Sequence, residues 1–222
     1  MFTRWIVLFS WLFPWFLRRR ILKVFCHYEL HPTSRIGFAL IYPKRLIMEA
    51  HTRIDHLTVC KGLDLLHLKE YASIGKLNWI TGYPTGLSGH YEHLIDRKPQ
   101  LVVGNYSAIT NRHLIDCTES VIIGEFSIVA GFQSQILTHA IDLELCRQSA
   151  KKIDIGNYCF VGTNCVLLGG SQLPDFSVLS AKSLLNKRYE ETYWLYGGIP
   201  TRPLKKLSDD WLYFRRQKGF VQ

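Results

Sequence analysis

No two of the six cysteines form a CxxC pair, and no cleavable leader is expected ahead of them. That leaves Cys26, Cys60, Cys117, Cys146, Cys159 and Cys165 without the spacing of a disulfide framework, and a reduced, cytoplasmic setting is expected. Nucleic-acid signatures are missing too: the chain has no RNP-like, zinc-finger or helix-turn-helix pattern. Acidic residues are in the minority, 18 against 27 basic ones, so the formal charge is +9 and anionic partners are implied. Without a motif to join the basic residues into a nucleic-acid reader, small anions and lipid head groups lead. Finally, no apolar run is long enough to span a bilayer. The longest, Trp5 to Leu17, would reach about 20 Å as a helix, short of a hydrocarbon core of roughly 30 Å.

That run, FTRWIVLFSWLFPWFLRRR, has tryptophans at 5, 11 and 15, a proline at 14, and its positive charge after the apolar residues. This is the reverse of a signal peptide and suits an interfacial anchor whose arginines meet cytoplasmic head groups. Peripheral membrane contact through residues 1–20, at the inner face of the cell membrane, is therefore expected. The competing reading is a helix that packs its apolar residues within the assembly.

At 222 residues and 47% hydrophobic, the chain can bury a sizeable core in one main domain. The stretch IDIGNYCFVGTNCVLLGGSQLPDFSVLSAKSLL returns an aliphatic residue every sixth position, at Ile155, Val161, Leu167, Leu173, Leu179 and Leu185. Six is a multiple of the strand period, so these side chains share one side of an extended chain. Four residues after each of the first five stands a small residue: Cys159, Cys165, Ser171, Ser177 and Ser183. One large and one small residue per hexad face inward, and short strands alternate with regular corners. That pattern is a parallel β-helix, an all-β solenoid whose coils bury their faces only by stacking. Cys159 and Cys165 are then packing residues.

The same rhythm runs through Val103, Ile109 and Ile115, slips by two residues, and resumes at Ile123 and Val129. Leu68, Ile74 and Ile80 precede it, after the weaker set Ile54, Cys60 and Leu66, and three hexads to a coil give four to five coils. Residues 81–100 and 138–152 interrupt the rhythm as loops, of the kind that often form a binding face. The domain plan is an apolar and basic N-terminal helix over 1–30, a β-helix over 31–185, and a capping segment over 186–222 ending in a short helix.

The hexads IGNYCFVGTNCVLLGGSQLPDFSVLSAKSLL, the THAID before them and the GGIPTRPLKKL after them resemble the hexapeptide-repeat O-acetyltransferases that modify sugars, serine and bacterial polysaccharides. The resemblance covers residues 103–207 and, loosely, 54–80. It implies a left-handed coil, which spacing alone does not give. It further implies a homotrimer binding acetyl-CoA between neighbouring prisms, direct transfer to a sugar hydroxyl, and no metal, while the N-terminal anchor favours a lipid-linked glycan as the acceptor. The family's general base, a histidine just after a broken hexad, falls on His139 in ILTHAID, with Asp142 the candidate to orient it and Glu144 the other. The chain has one histidine there where the commoner form is THTHP. A sugar hydroxyl is too weak an acid to attack a thioester unaided, and imidazole can take its proton and pass it to the departing thiolate.

The pantetheine arm of the family's donor follows the coils, which makes Gly162 and Ser180 candidates for close approach. Lys182, Lys187, Arg188 and Arg202 are candidates for the nucleotide phosphates. His113 stands at an inward phase and reads as a packed core histidine, whereas His90 and His93 in the first loop face acceptor or solvent. A zinc hydratase on the same prism would need a third histidine beside His113 and His139. A non-catalytic sugar-binding solenoid is the other alternative.

Overall fold

Residues six apart face the same interior in the computed structural model, which describes residues 2–219 and 221. Three parallel sheets form the faces of a triangular prism. The first face runs from Glu29–Leu30 through Arg45–Met48, Leu65–Leu68, Gln100–Val103, Val121–Ile123 and Ile153–Ile155 to Gln172–Leu173. The second begins at Arg35–Ile36 and the third at Leu40–Tyr42, each adding one strand per turn of chain. Seven coils result, not four or five. The first coil and the opening strand of the second were hidden because the repeat length drifts: Ile36 pairs with Ile54, Ile41 with Cys60, and Ile54 with Ile74.

Inward rows of Ile54, Ile74, Ile109, Val129, Val161 and Leu179, and of Cys60, Ile80, Ile115, Ile136, Leu167 and Leu185, are buried. Each such aliphatic side chain contributes about 1.5–3 kcal/mol on burial. The slip between Ile115 and Ile123 disappears, because first-face strands turn two residues inward: Leu101 and Val103 pair with Val121 and Ile123.

The small phase of the hexad is a hydrogen-bond ladder. At the corner between first and second faces, the Ser127 amide donates to Ser107 Oγ and the Cys159 amide to Ser127 Oγ, both at 2.8 Å. At the next corner the rungs are Thr58, Asn78, His113, Ser134 and Cys165. His113 is therefore a rung. Its Nδ1 accepts the Ser134 amide at 3.2 Å, its Nε2 lies 3.0 Å from Thr110 Oγ1, and burial lowers its pKa to about 4. Burial likewise pushes the Cys159 thiol up to about 12 and raises that of Cys165, so both pack as neutral groups.

The turns demand left-handed backbone, and at the first corner aromatic residues supply it. Tyr71, Tyr106, Phe126, Tyr158, Phe176 and Tyr193 have φ between 54° and 60°. Such a conformation costs a non-glycine residue roughly 1–2 kcal/mol. The rings stack on one another at centroid distances of 4.7–5.3 Å, and each pair returns about 0.5–1.5 kcal/mol.

Both ends of the prism are covered. At the N-terminal end the single apolar helix expected from sequence is two, α1 (Phe2–Ser10) and α2 (Trp15–Cys26), separated ahead of Pro14. Val7 and Leu22 join the core cluster, and Arg18 lies over the first coil. The other end is closed by Trp194–Gly197 and the antiparallel strand Arg202–Lys206. The expected C-terminal helix is one 3₁₀ turn, Leu212–Arg215, on a tail that runs back along the aromatic corner, with the Arg216 guanidinium 4.0 Å from the Tyr213 ring centre.

Candidate active site

Both loops leave the prism at the corner between third and first faces, two coils apart. Residues 82–99 follow Trp79–Thr81, and residues 138–152 follow Gln135–Leu137. The second is a hairpin in which His139–Asp142 pairs with Arg147–Ala150, and His139 stands at its root opposite Ala150. A half-exposed side chain there can face a cleft without leaving a hole in the core.

The carboxylate that holds the imidazole is Asp116. It ends the strand Leu114–Asp116, one coil below, and pairs in register with Leu137, two residues before His139. Its Oδ2 lies 2.9 Å from His139 Nδ1 and also accepts the His139 amide at 3.0 Å. Thr138 donates its amide at 3.1 Å and its hydroxyl at 2.6 Å to the same oxygen, while the Thr118 hydroxyl donates to Oδ1 at 2.7 Å. Burial by itself would raise the pKa of Asp116. The hydrogen bonds from Thr138, Thr118 and His139, with the nearby imidazole, prevail and hold it below the usual carboxylate range. An ionised Asp116 accepting from Nδ1–H leaves Nε2 as the lone-pair nitrogen, aimed away from its anchor.

Asp142 does not take this role. It lies farther along the hairpin, accepts the Leu145 amide at 3.1 Å, and sits 4.0 Å from Arg147 Nε. The hairpin strand carries it away from the prism, whereas Asp116 is brought under His139 by coil stacking. Glu144 is exposed at the hairpin tip.

A cleft of about 300 Å³ lies over the dyad, with Tyr83, His90 and Tyr91 from the first loop and Gln148 from the hairpin among its walls. His90 thus reaches the cleft, whereas His93 is exposed outside that lining. His113 stays a core residue, and with both ring nitrogens engaged it is no metal ligand. Among the described residues no group of three or more His, Cys, Asp or Glu converges on one point.

The proposed donor-binding residues are not gathered at this corner. Ser180 and Lys182 sit at the corner on the other edge of the third face, beside Gly162, whose Cβ would meet Ala181 N at 2.6 Å. Ser180 Oγ is 3.0 Å from Ser183 Oγ. Arg188 donates to Gln172 on the first face, next to Lys187, whose ammonium lies 5.1 Å from the Tyr189 ring centre. Arg202 stands exposed in the terminal strand pair. Within one chain these residues form two edges and one end, not a single pocket.

No protein-family model and no curated protein matches the chain. Solved structures do match in fold. A hexapeptide-repeat acetyltransferase of Vibrio cholerae, complexed with acetyl coenzyme A, is 21% identical, with a TM-score of 0.53 over 64% of this chain and 72% of its own. A galactoside acetyltransferase in complex with coenzyme A is 17% identical, with a TM-score of 0.52 over 64% and 66%. An N-acyltransferase variant from Bacillus cereus, complexed with dTDP and coenzyme A, is 12% identical, with a TM-score of 0.50 over 79% and 83%. The prism is thereby a left-handed parallel β-helix of hexapeptide repeats.

Proposed function

We propose that the chain is an acetyl-CoA-dependent O-acetyltransferase acting on a hydroxyl of a sugar or lipid-linked glycan. The observation that carries this reading is the Asp116–His139 pair, 2.9 Å apart, at the root of two loops that wall a cleft. His139 Nε2 takes the acceptor's hydroxyl proton as its oxygen bonds to the thioester carbonyl carbon. The carbon–sulfur bond then breaks, and the imidazolium returns the proton to the thiolate, releasing CoA as a thiol. No covalent enzyme intermediate is required. Asp116 keeps Nδ1 protonated throughout and steadies the cation.

The fold neighbours bound to CoA or acetyl-CoA support the donor. The separation of Gly162, Ser180 and Lys182 from His139 within one chain suits a donor held between two prisms, and the family resemblance makes that assembly a homotrimer. The test is thiol release from acetyl-CoA that depends on added glycoside, with sedimentation of the same sample. Acceptor-dependent release by a trimer is expected. An active monomer removes the shared cleft, and release without any acceptor dependence removes the transfer.

Peripheral membrane contact is the remaining part of the proposal. No helix among the described residues is long and apolar enough to cross a bilayer. Trp5 and Phe9 on α1, Leu12 in the turn and Phe16 on α2 are nevertheless exposed, with Arg20 and Lys23 exposed nearby. An apolar stripe flanked by cations suits the interface of an acidic membrane. This arrangement would bring a lipid-linked acceptor to the enzyme at the cytoplasmic face.

A further inference from the structure

The first loop is fastened from beneath by a buried cation. Arg97, 7% exposed, donates through Nη1 to the carbonyls of Tyr83 and of Thr118, the latter at 2.7 Å, and through Nη2 to that of Pro84 at 3.2 Å. Its guanidinium carbon also lies 4.7 Å from the Tyr91 ring centre. One side chain thus ties the start of the loop to its end and both to the corner next to Asp116. A second tie holds Thr85, whose hydroxyl donates to Asp64 Oδ2 at 2.6 Å. So anchored, the loop presents Tyr83 and Tyr91 with ring centres 5.3 Å apart, and His90 5.9 Å from Tyr83. The Tyr91 hydroxyl lies 3.4 Å from Gln148 Oε1 and bridges to the hairpin. The Gln148 amide NH₂ is left as a donor.

Resting on the acyl-transfer reading, the geometry points to this cleft as an acceptor subsite for an uncharged pyranose, with Arg97 as the positioning residue that fixes its aromatic wall. The half-buried Tyr83 ring, backed by Tyr91, would cover the apolar side of a sugar, while the imidazole and amide groups meet its hydroxyls. No lysine or arginine lines the cleft among the described residues, and the fixed charge at its floor is the Asp116 carboxylate. The positive charge of Arg97 faces three carbonyls and a ring beneath the wall. A sugar carboxylate would lose water there, find no cation, and meet a like charge. Selection is thus against acidic sugars.

The test uses two acceptors that differ only at C6, a methyl hexopyranoside and the matching methyl hexuronoside. Saturation-transfer NMR reads binding to the full chain, and thiol release from acetyl-CoA reads turnover. The hexoside is expected to bind and to show kcat/KM at least about tenfold above the uronoside. Tyr91→Phe, which keeps the ring and removes the bridge to Gln148, should raise the acceptor KM several-fold while the acetyl-CoA KM and the acid limb of the rate stay put. Arg97→Gln should do the same more strongly, and Arg97→Lys should recover part of the loss. Equal use of the two sugars, or an unchanged acceptor KM in Tyr91→Phe, overturns the subsite while leaving acyl transfer standing. Hexoside binding without thiol release supports the subsite and overturns the transfer.

Discussion

Replacing His139 with alanine should leave a folded protein that binds acetyl-CoA and has lost about 10²–10⁴ of its turnover, the usual worth of a positioned general base. Stability should barely move, because the imidazole is half exposed at the root of a hairpin rather than packed in the prism. The acid limb of the wild-type rate, where the imidazole takes up a proton and can no longer accept one, should vanish in the variant. Asp116→Asn is the companion. An amide can donate to Nδ1 and so stabilise the wrong tautomer, and a loss of about 10²-fold or more in kcat is expected with KM for acetyl-CoA little changed. An Asp116→Asn variant with wild-type kcat would remove Asp116 from the mechanism. A His139→Ala variant that keeps its acid limb would show another group to be the base.

Asp116 also links activity to stability. Its pKa in the folded chain is depressed, so its stabilising contribution is complete above the ordinary unfolded value of about 3.9 and is lost as pH falls through the lower folded value. Asp116→Asn should therefore be less stable than wild type near neutral pH, and the gap should narrow at strongly acid pH. Urea titrations of both proteins at the two pH values measure this.

The reach of sequence reasoning follows from what each signal encodes. The hexads disclose the prism because every inward residue is repeated. His139, at the hairpin root beside Asp116, is legible because the resemblance places the family's histidine just after a broken hexad. Asp116 is not, since it stands 23 residues away in sequence and reaches His139 only through the pairing of Asp116 with Leu137. Writing LIDCT beneath QILTH, in the coil register, would have exposed it. The aromatic corner left a trace as well, in NYS, EFS, NYC and DFS, where a ring precedes each small inward residue. Neither the tie between Arg97 and Thr118 nor the division of the proposed donor-binding residues among separate edges has a local pattern. Both are products of stacking. Arg18 was misleading for a different reason: beside Arg19 and Arg20 it reads as a head-group cation, but its environment is set by a coil that begins eleven residues later.

Loss of that arginine is the other change expected to have a large effect. Arg18 is 4% exposed, and its Nη1 donates to the carbonyls of Ile36 at 3.1 Å and Gly37 at 2.7 Å, its Nη2 to that of Ala39 at 3.4 Å, and its Nε to Ser10 Oγ at 3.3 Å. Burial lowers its pKa to about 10, so it remains a cation at neutral pH. The second-face strand of the first coil has no coil before it, and the guanidinium supplies donors at its end. Arg18→Met keeps the stem but strands those carbonyls, which should cost about 1–3 kcal/mol, the scale of leaving a buried hydrogen-bonding group without its partner. Urea unfolding should show the midpoint fall with little change in slope. Deleting residues 1–20 should cost at least as much, since Val7 and the Trp15 Nε1 bond to the Ser34 carbonyl at 2.9 Å go with it. The helices thus close the prism with one face, and the membrane proposal concerns the other. Changing Trp5, Phe9, Leu12 and Phe16 together to serine should leave the urea midpoint near wild type but abolish flotation with vesicles containing acidic lipid. Unaltered flotation would refute the stripe as the anchor, and a deletion of residues 1–20 as stable as the full chain would refute the cap.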